Sequence, residues 1–338
     1  MLGFSVPQPV LDALRYWWAY MPFVLAVASY QVWLAYQRKK FMLGMKWVLL
    51  EVVPPPEVLV SPKAAESIFA GLHGVYAGNL EWKKMFFQGT VPNWFSFEIV
   101  SNGGETHFYV RTPEGLRNVV EANVFAQYPS AEIRQVGDYI DMLPDAMPHP
   151  DYDMFATELI FTKENAYPIK SWREFEEAGG KDEHARIDPI APLMEVMSAL
   201  RPGEHIWVQY LMRPTGGDWV KEGQAVADKL AGKEPKEAPD PLMSVLGFFG
   251  GIIGELFGAF GMEGAKPEEK KEERKEFSLQ KLTPSQKVIL ENVEYKLAKL
   301  AFKAGIRFAY IGKRDVYSMA RVSSVTGMFK QLYFNNLN

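Results

Sequence analysis

WFSFEIVSNGGETHFYVR, residues 94–111, decides how the rest of this chain is read. Residues alternate in character on either side of Ser101-Asn102-Gly103-Gly104, and an Asn/Gly turn between two alternating runs is a strong local hairpin signal. Upstream, WVLLEVV (Trp47–Val53) is a short apolar run stopped by Pro54-Pro55-Pro56 and reads as a strand. Between them, Ser61-Pro62 opens a helix, with Ser as cap and Pro at the first helical position. Ala65, Ile68, Phe69, Leu72 and Tyr76 then mark its buried face at spacings of three and four. Downstream, Thr112-Pro113 opens a second helix with Leu116, Val119, Val120 and Val124 on its apolar side, and EIRQVGDYI (Glu132–Ile140) supplies a further strand. The order over residues 46–141 is β-α-β-β-α-β, the ferredoxin-like arrangement of an antiparallel sheet with helices on one face. The other face is left for solvent or a partner.

A second unit starts near residue 154. Met154–Thr162 reads as a strand, Ile190–Leu200 as an apolar helix after Asp188-Pro189, and EHIWVQYLM (Glu204–Met212) as a strand. Trp219–Leu230 is a short amphipathic helix. Thr283-Pro284-Ser285-Gln286 carries a capping-box pattern before a helix faced by Ile289, Val293, Leu297 and Leu300. GIRFAYI (Gly305–Ile311) is a strand and Val316–Leu332 a final helix. This repeats the first unit without its closing strand, so an edge is left unpaired and the chain is expected to continue past Asn338 or to be completed by a partner. The insertion at 231–282 contains an apolar, glycine-rich run (241–264) and the charged run KPEEKKEERKE. The apolar run is open to three readings: a loose loop or partner contact, a membrane-surface segment, or a span.

The N-terminal stretch from Leu14 to Tyr36 has no ionisable group between Arg15 and Arg38 other than tyrosine hydroxyls. As a helix of this length it would extend roughly 30 Å, the thickness of a bilayer's hydrocarbon core. Trp17, Trp18, Phe23 and Trp33 lie within it, aromatics crowd both ends, and Arg38, Lys39 and Lys40 close it. The expectation is a single transmembrane anchor in the inner membrane, with a short N-terminus outside, the bulk of the chain cytoplasmic, and membrane lipid as a partner. The alternatives are a buried core helix and, less well matched, a cleaved leader. The fold class expected is therefore α+β: an N-terminal transmembrane helix and basic flank (1–40), a ferredoxin-like unit (41–145), and a second, incomplete one (146–338).

The net charge of −4 over 338 residues is ordinary, but its distribution is not. Residues 281–338 carry ten basic and three acidic groups, whereas 51–280 carry 22 basic and 37 acidic, which argues against free nucleic-acid binding by the middle of the chain. Arg307, Lys313, Arg314, Arg321 and Lys330 are the candidates for contact with an anion or nucleic acid, against the simpler reading of a basic face matched to an acidic neighbour. The absence of cysteine excludes disulfides and thiolate metal sites. No phosphate-binding glycine loop, no H-E-x-x-H and no carboxylate pair at a telling spacing occurs, so no catalytic, cofactor or metal residue is assigned. His149 with Asp151 and Asp153 is the nearest approach to a weak metal site.

The segments WVLLEVVPPPEVLVSPKAAESIFAGLH, the hairpin through QYPSAEI, DPIAPLMEVMSALRPGEHIWVQYLMRP, and EYKLAKLAFKAGIRFAYIGKRDV with FKQLYFNNLN carry a resemblance. Over most of 40–230 and 283–338 the chain resembles the membrane-anchored N-terminal region of bacterial type IV secretion and conjugative DNA-transfer ATPases. The resemblance implies that a motor ATPase domain would follow; that domain is missing here, so no ATPase residue carries over. The function expected is a noncatalytic, membrane-tethered assembly module that positions a cytoplasmic motor. Its expected partners are a motor ATPase, a secretion-channel protein or further copies of itself, with nucleic acid involved only indirectly. Two alternatives stand beside it: a membrane-bound hydrolase or metal-dependent enzyme with a carboxylate/histidine site in 145–190, and a DNA-contacting accessory module using the basic region 281–338.

Overall fold

The computed structural model describes residues 15–55, 61–78, 81, 83–144, 146–178, 188–232, 282–333 and 337–338, with only the backbone of 19, 20, 23 and 176–178. The insertion's apolar run 241–264 therefore lies outside the described residues, as does the Phe23 side chain. The chain divides into two compact units. One comprises Met1–Ile160, Lys170–Gly216 and Leu300–Tyr333; the other comprises Phe161–Ile169, Gly217–Lys299 and Phe334–Asn338.

The first unit is built on one open antiparallel sheet of seven strands. These are β1 (Trp47–Val53), β2 (Phe95–Asn102), β3 (Glu105–Pro113), β4 (Glu132–Val136), β5 (Tyr152–Leu159), β6 (Glu204–Pro214) and β7 (Phe302–Lys313), in the order β4-β1-β3-β2-β6-β7-β5. The hairpin that opened the reading closes over Gly103 and Gly104, whose φ of 64° and 101° suit glycine. The sequence predicts two units, yet β2 and β6 pair from Phe95↔Met212 to Asn102↔His205, and all seven strands become one sheet.

Helices cover one face. α1 (Trp17–Gly44) leads into β1, while α2 (Lys63–His73) and α3 (Arg117–Gln127) pack on the β4-β1-β3-β2 half. Ile68, Leu72, Val120 and Val124 meet Val48, Leu50, Phe95 and Val110 there. After a short α4 (Trp172–Ala178), α5 (Ala191–Ser198) contributes Leu193 and Met197 to the core over β6 and β7. The second unit pairs α6 (Asp218–Leu230) with α7 (Pro284–Leu297) around Ala227, Leu290, Val293 and Leu297. There the Thr283 hydroxyl accepts the Gln286 N–H, and the Gln286 side chain accepts the Thr283 N–H, closing the capping box. α8 (Met319–Phe329) returns to the first unit and adds Val322, Val325 and Met328 to the core that α5 shares.

The membrane expectation is corrected by α1. No helix among the described residues is long and apolar enough to cross a membrane. α1 has the length, at 28 residues, but Trp17, Trp18, Tyr30, Trp33 and Tyr36 favour a polar boundary over hydrocarbon, and Ser29 and Gln31 dilute the middle. Its C-terminal half is also committed to its own chain. The Trp33 indole N–H donates to the Phe86 carbonyl at 3.0 Å, Tyr30 stacks on Phe86 at 5.7 Å, and Leu34 is buried. Gly89, at φ 65°, lets the turn after the π-helical segment Lys84–Gln88 lie against α1, because a Cβ there would meet the Gln37 carbonyl carbon at 2.2 Å. Arg38, Lys39 and Lys40 fall within the helix rather than beyond a span. The transmembrane anchor and the single-pass inner-membrane location thus lose their support. So does the membrane-tethered secretion module, together with the anchored-region resemblance that suggested it.

Candidate functional site

The sheet face opposite the helices carries a polar row across all seven strands. Arg134, Glu51, Tyr109, Glu98, Gln209, Arg307 and Glu158 stand side by side by strand register. EIRQVGDYI does not continue as a strand past Val136. Gly137 breaks it, and the 3-10 turn Tyr139–Met142 folds Tyr139 back over this face, where it is buried. Arg111 grips both oxygens of Asp138 at 2.6 and 3.0 Å and reaches Glu98 at 3.3 Å. The Tyr139 hydroxyl donates to Glu98 at 2.6 Å and accepts from the Gln209 amide at 2.8 Å. Beside it, Glu51 holds His107 at 2.7 Å and Arg134 at 2.9 Å.

These contacts set the charge states. The Arg111 hydrogen bond holds the Asp138 carboxyl below its ordinary range despite partial burial. Burial works against the Arg111 charge, but Asp138 and Glu98 more than offset it and raise the guanidinium's pKa. Burial, with Glu98 adding, pushes the Tyr139 hydroxyl well above its usual value and keeps it a neutral donor. Around Glu51 and Glu98 the row is internally satisfied, so this part of it serves as scaffold.

A different chemistry lies at one end of the sheet. A cleft of about 560 Å³ is lined by Arg38 and Met42 of α1, Tyr76, Trp94, Arg213 of β6 and Lys303 of β7, with Met85, Thr90 and Thr215 among the rest. Arg213 and Lys303 are direct cross-strand partners, and like charges placed opposite one another destabilise a sheet. No carboxylate lines the cleft among the described residues. Its aromatic wall is fixed, since Trp94 packs on Trp47 with ring centroids 4.3 Å apart. The arrangement can neutralise an anion between three cations and rest a flat or apolar group on Trp94 and Tyr76.

The predicted contact residues are not brought together. Arg307 stands in the polar row between Gln209 and Glu158. Arg321 lies on the helix side, 3.5 Å from the buried Glu204, and donates to the Ala199 carbonyl. Arg314 pairs with Asp153 at 3.3 Å, Lys313 packs beneath Gly203, and Lys330 follows α8. Of the residues assigned to the anchor, only Arg38 lines the cleft. The metal-enzyme reading is also corrected. Among the described residues no group of three or more His, Cys, Asp or Glu could hold a metal ion. The reason is local: His149 lies 3.9 Å from Asp151, while Asp153 is taken by Arg314. Arg213 and Lys303 escape sequence reading because 90 residues separate them, and only the β6–β7 register joins them.

Fold and site define an α+β protein with an open seven-stranded antiparallel sheet and a cationic, aromatic cleft at one end of that sheet. Residues 40–338 match the family described as a domain of unknown function, DUF8128, and the chain belongs to that family. No curated protein and no solved structure matches it.

Proposed function

We propose that this protein is a binding module whose ligand is an anion carrying an aromatic or apolar part, held in the Arg38–Arg213–Lys303 cleft. The observation that supports this best is the Arg213–Lys303 pair. Two cations set directly opposite one another, with no carboxylate on the cleft wall among the described residues, leave a charge that a bound anion neutralises. The size agrees, since small-molecule sites occupy roughly 300–1,000 Å³ and combine an apolar lining with a few placed polar groups. Thr215 adds a hydroxyl donor beside the cations. The reading assigns binding and no reaction.

Titration of the full chain with phenyl phosphate and with inorganic phosphate, followed by tryptophan fluorescence and calorimetry, tests it. Phenyl phosphate binds saturably and more tightly than phosphate, and the affinity falls with added salt. Arg213→Gln and Lys303→Gln each weaken binding about tenfold, roughly 1.4 kcal/mol. No saturable binding of either probe at low ionic strength overturns the reading.

A further inference from the structure

α1 carries the largest apolar surface left uncovered among the described residues. Every described side chain from Arg15 to Ser29 is exposed, apart from those of which only the backbone is described. Further along, only one stripe (Tyr30, Leu34, Gln37 and Phe41) is covered, and Tyr30 and Gln37 of it lie against the chain's own segment at Phe86 and Gly89. On the opposite side Trp18, Met21, Leu25, Ala28, Val32, Ala35, Lys39 and Met42 are all exposed and follow one another at spacings of three, four, three, four, three, four and three. That is the spacing of a helix–helix seam, sustained over about three and a half heptads. Trp18 is 64% exposed, Leu25 59% and Val32 69%. With the flanking Trp17, Tyr36 and Leu43, also exposed, it forms a contiguous apolar patch along the helix, the kind of surface that marks an interaction site.

We infer that α1 pairs with α1 of a second copy of this chain, antiparallel, about a two-fold axis near Tyr30. Size and charge both select this orientation. Running antiparallel, Leu25 meets the partner's Ala35, and Ala28 meets the partner's Val32. In the middle of the seam each large side chain thus faces a small one, as knobs-into-holes packing requires. Running parallel, Ala28 and Ala35 would each face their own copy and leave voids. The basic run decides more strongly. A parallel pair gathers both copies of Arg38, Lys39 and Lys40 at one end, six cations in close apposition. The antiparallel pair sends the two runs to opposite ends. It sets Lys39 against the partner's Met21, within reach of the partner's Trp17 and Trp18, whose rings attract a cation.

The chain's lack of cysteine makes the register directly testable. Sedimentation equilibrium of the full chain gives a dimer, and Leu25→Asp raises its dissociation constant by about a hundredfold or more, because the seam would bury a carboxylate. The circular dichroism of Leu25→Asp stays unchanged, since Leu25 touches no core. The pair Leu25→Cys with Ala35→Cys forms a disulfide-linked dimer on mild oxidation, while either cysteine alone does not. A linked dimer from Leu25→Cys alone means a parallel pair and overturns the inference. So does a monomer at every concentration measured, and so does flotation with phosphatidylcholine vesicles that Leu25→Asp abolishes, which gives the face to another occupant.

Discussion

Glu98 and Glu204 are both buried carboxylates in the same sheet, and each is held by a tyrosine hydroxyl and an arginine, yet they sit on opposite faces. Glu98, in β2, lies on the uncovered face under Tyr139 and Arg111. Glu204, at the start of β6, lies on the helix face, with Tyr310 at 2.8 Å and Arg321 at 3.5 Å. The difference is in what else satisfies the charge. Glu204 also accepts the Arg201 N–H at 2.8 Å, and although burial opposes its charge, that backbone donor with Tyr310 and Arg321 holds its carboxyl below the ordinary range. Glu98 has side chains alone, and its arginine is shared with a second carboxylate, Asp138. A charge fixed by backbone tolerates the loss of a side-chain partner better than one fixed by side chains.

The largest effect expected follows from that. Arg111→Met strands Glu98 and Asp138 together and costs about 3–5 kcal/mol, the penalty for breaking a buried ion pair from one side. Arg321→Met leaves Glu204 with Arg201 and Tyr310, and costs about 1–3 kcal/mol. Urea denaturation of the two variants measures both, and equal losses would break the comparison. The tyrosines sharpen it. Tyr139→Phe removes a hydroxyl that both donates to Glu98 and accepts from Gln209, and costs about 1–3 kcal/mol. Tyr310→Phe leaves Glu204 its backbone donor and falls at the lower end of the same range.

Acid distinguishes the two sites next. Asp138 is depressed by Arg111, so its contribution is complete above the ordinary carboxylate pKa of about 3.9 and is lost as pH falls below that, through its folded value. In Arg111→Met the depression is gone, and the slope of stability against pH in that window flattens. Arg321→Met keeps the Asp138 depression and relaxes only the share of Glu204's that Arg321 supplies, since the Arg201 N–H and Tyr310 remain. An unchanged slope in Arg111→Met would assign the acid response to another group.

Much of this was legible in the residues. The turn Ser101-Asn102-Gly103-Gly104 fixes its hairpin by backbone chemistry within four residues, and WVLLEVV is a strand over the run its apolar residues mark. Such signals are local, and local signals survive folding. The pairing of β2 with β6 is not local. Nothing in WFSFEIV states that its free edge will meet EHIWVQYLM rather than solvent, so two units were expected where one sheet forms. EIRQVGDYI alternates well enough to read as one strand through Tyr139, but Gly137 ends it and turns the ring over Glu98. α1 misled for another reason. Its length was read as a span, although tryptophan, tyrosine, serine and glutamine fill positions that hydrocarbon requires to be aliphatic, and half of its turns were already engaged by Phe86 and Gly89. The cleft was invisible because its cations come from three distant segments.

The smallest effect expected concerns the cleft, where the comparison takes its third case: a charge with no counter-charge at all. Glu98 and Glu204 cost stability when a partner is removed. Lys303 stands opposite Arg213 with no carboxylate lining the cleft among the described residues, so removing its charge relieves repulsion. Lys303→Gln therefore stabilises the free protein by about 0.2–1 kcal/mol, the range for cross-strand pairs, while weakening phenyl phosphate binding. The opposite signs are the point. A residue kept for the fold loses stability and binding together, whereas one kept for a ligand loses binding and gains stability, as sites that hold unfavourable charge in readiness do. Thermal melts with and without phenyl phosphate read both in one experiment: without it the variant melts higher than the parent, and with it the parent gains more. If Lys303→Gln melts lower in both, Lys303 belongs to the scaffold with Arg111, and the free charge of the cleft is compensated within the chain.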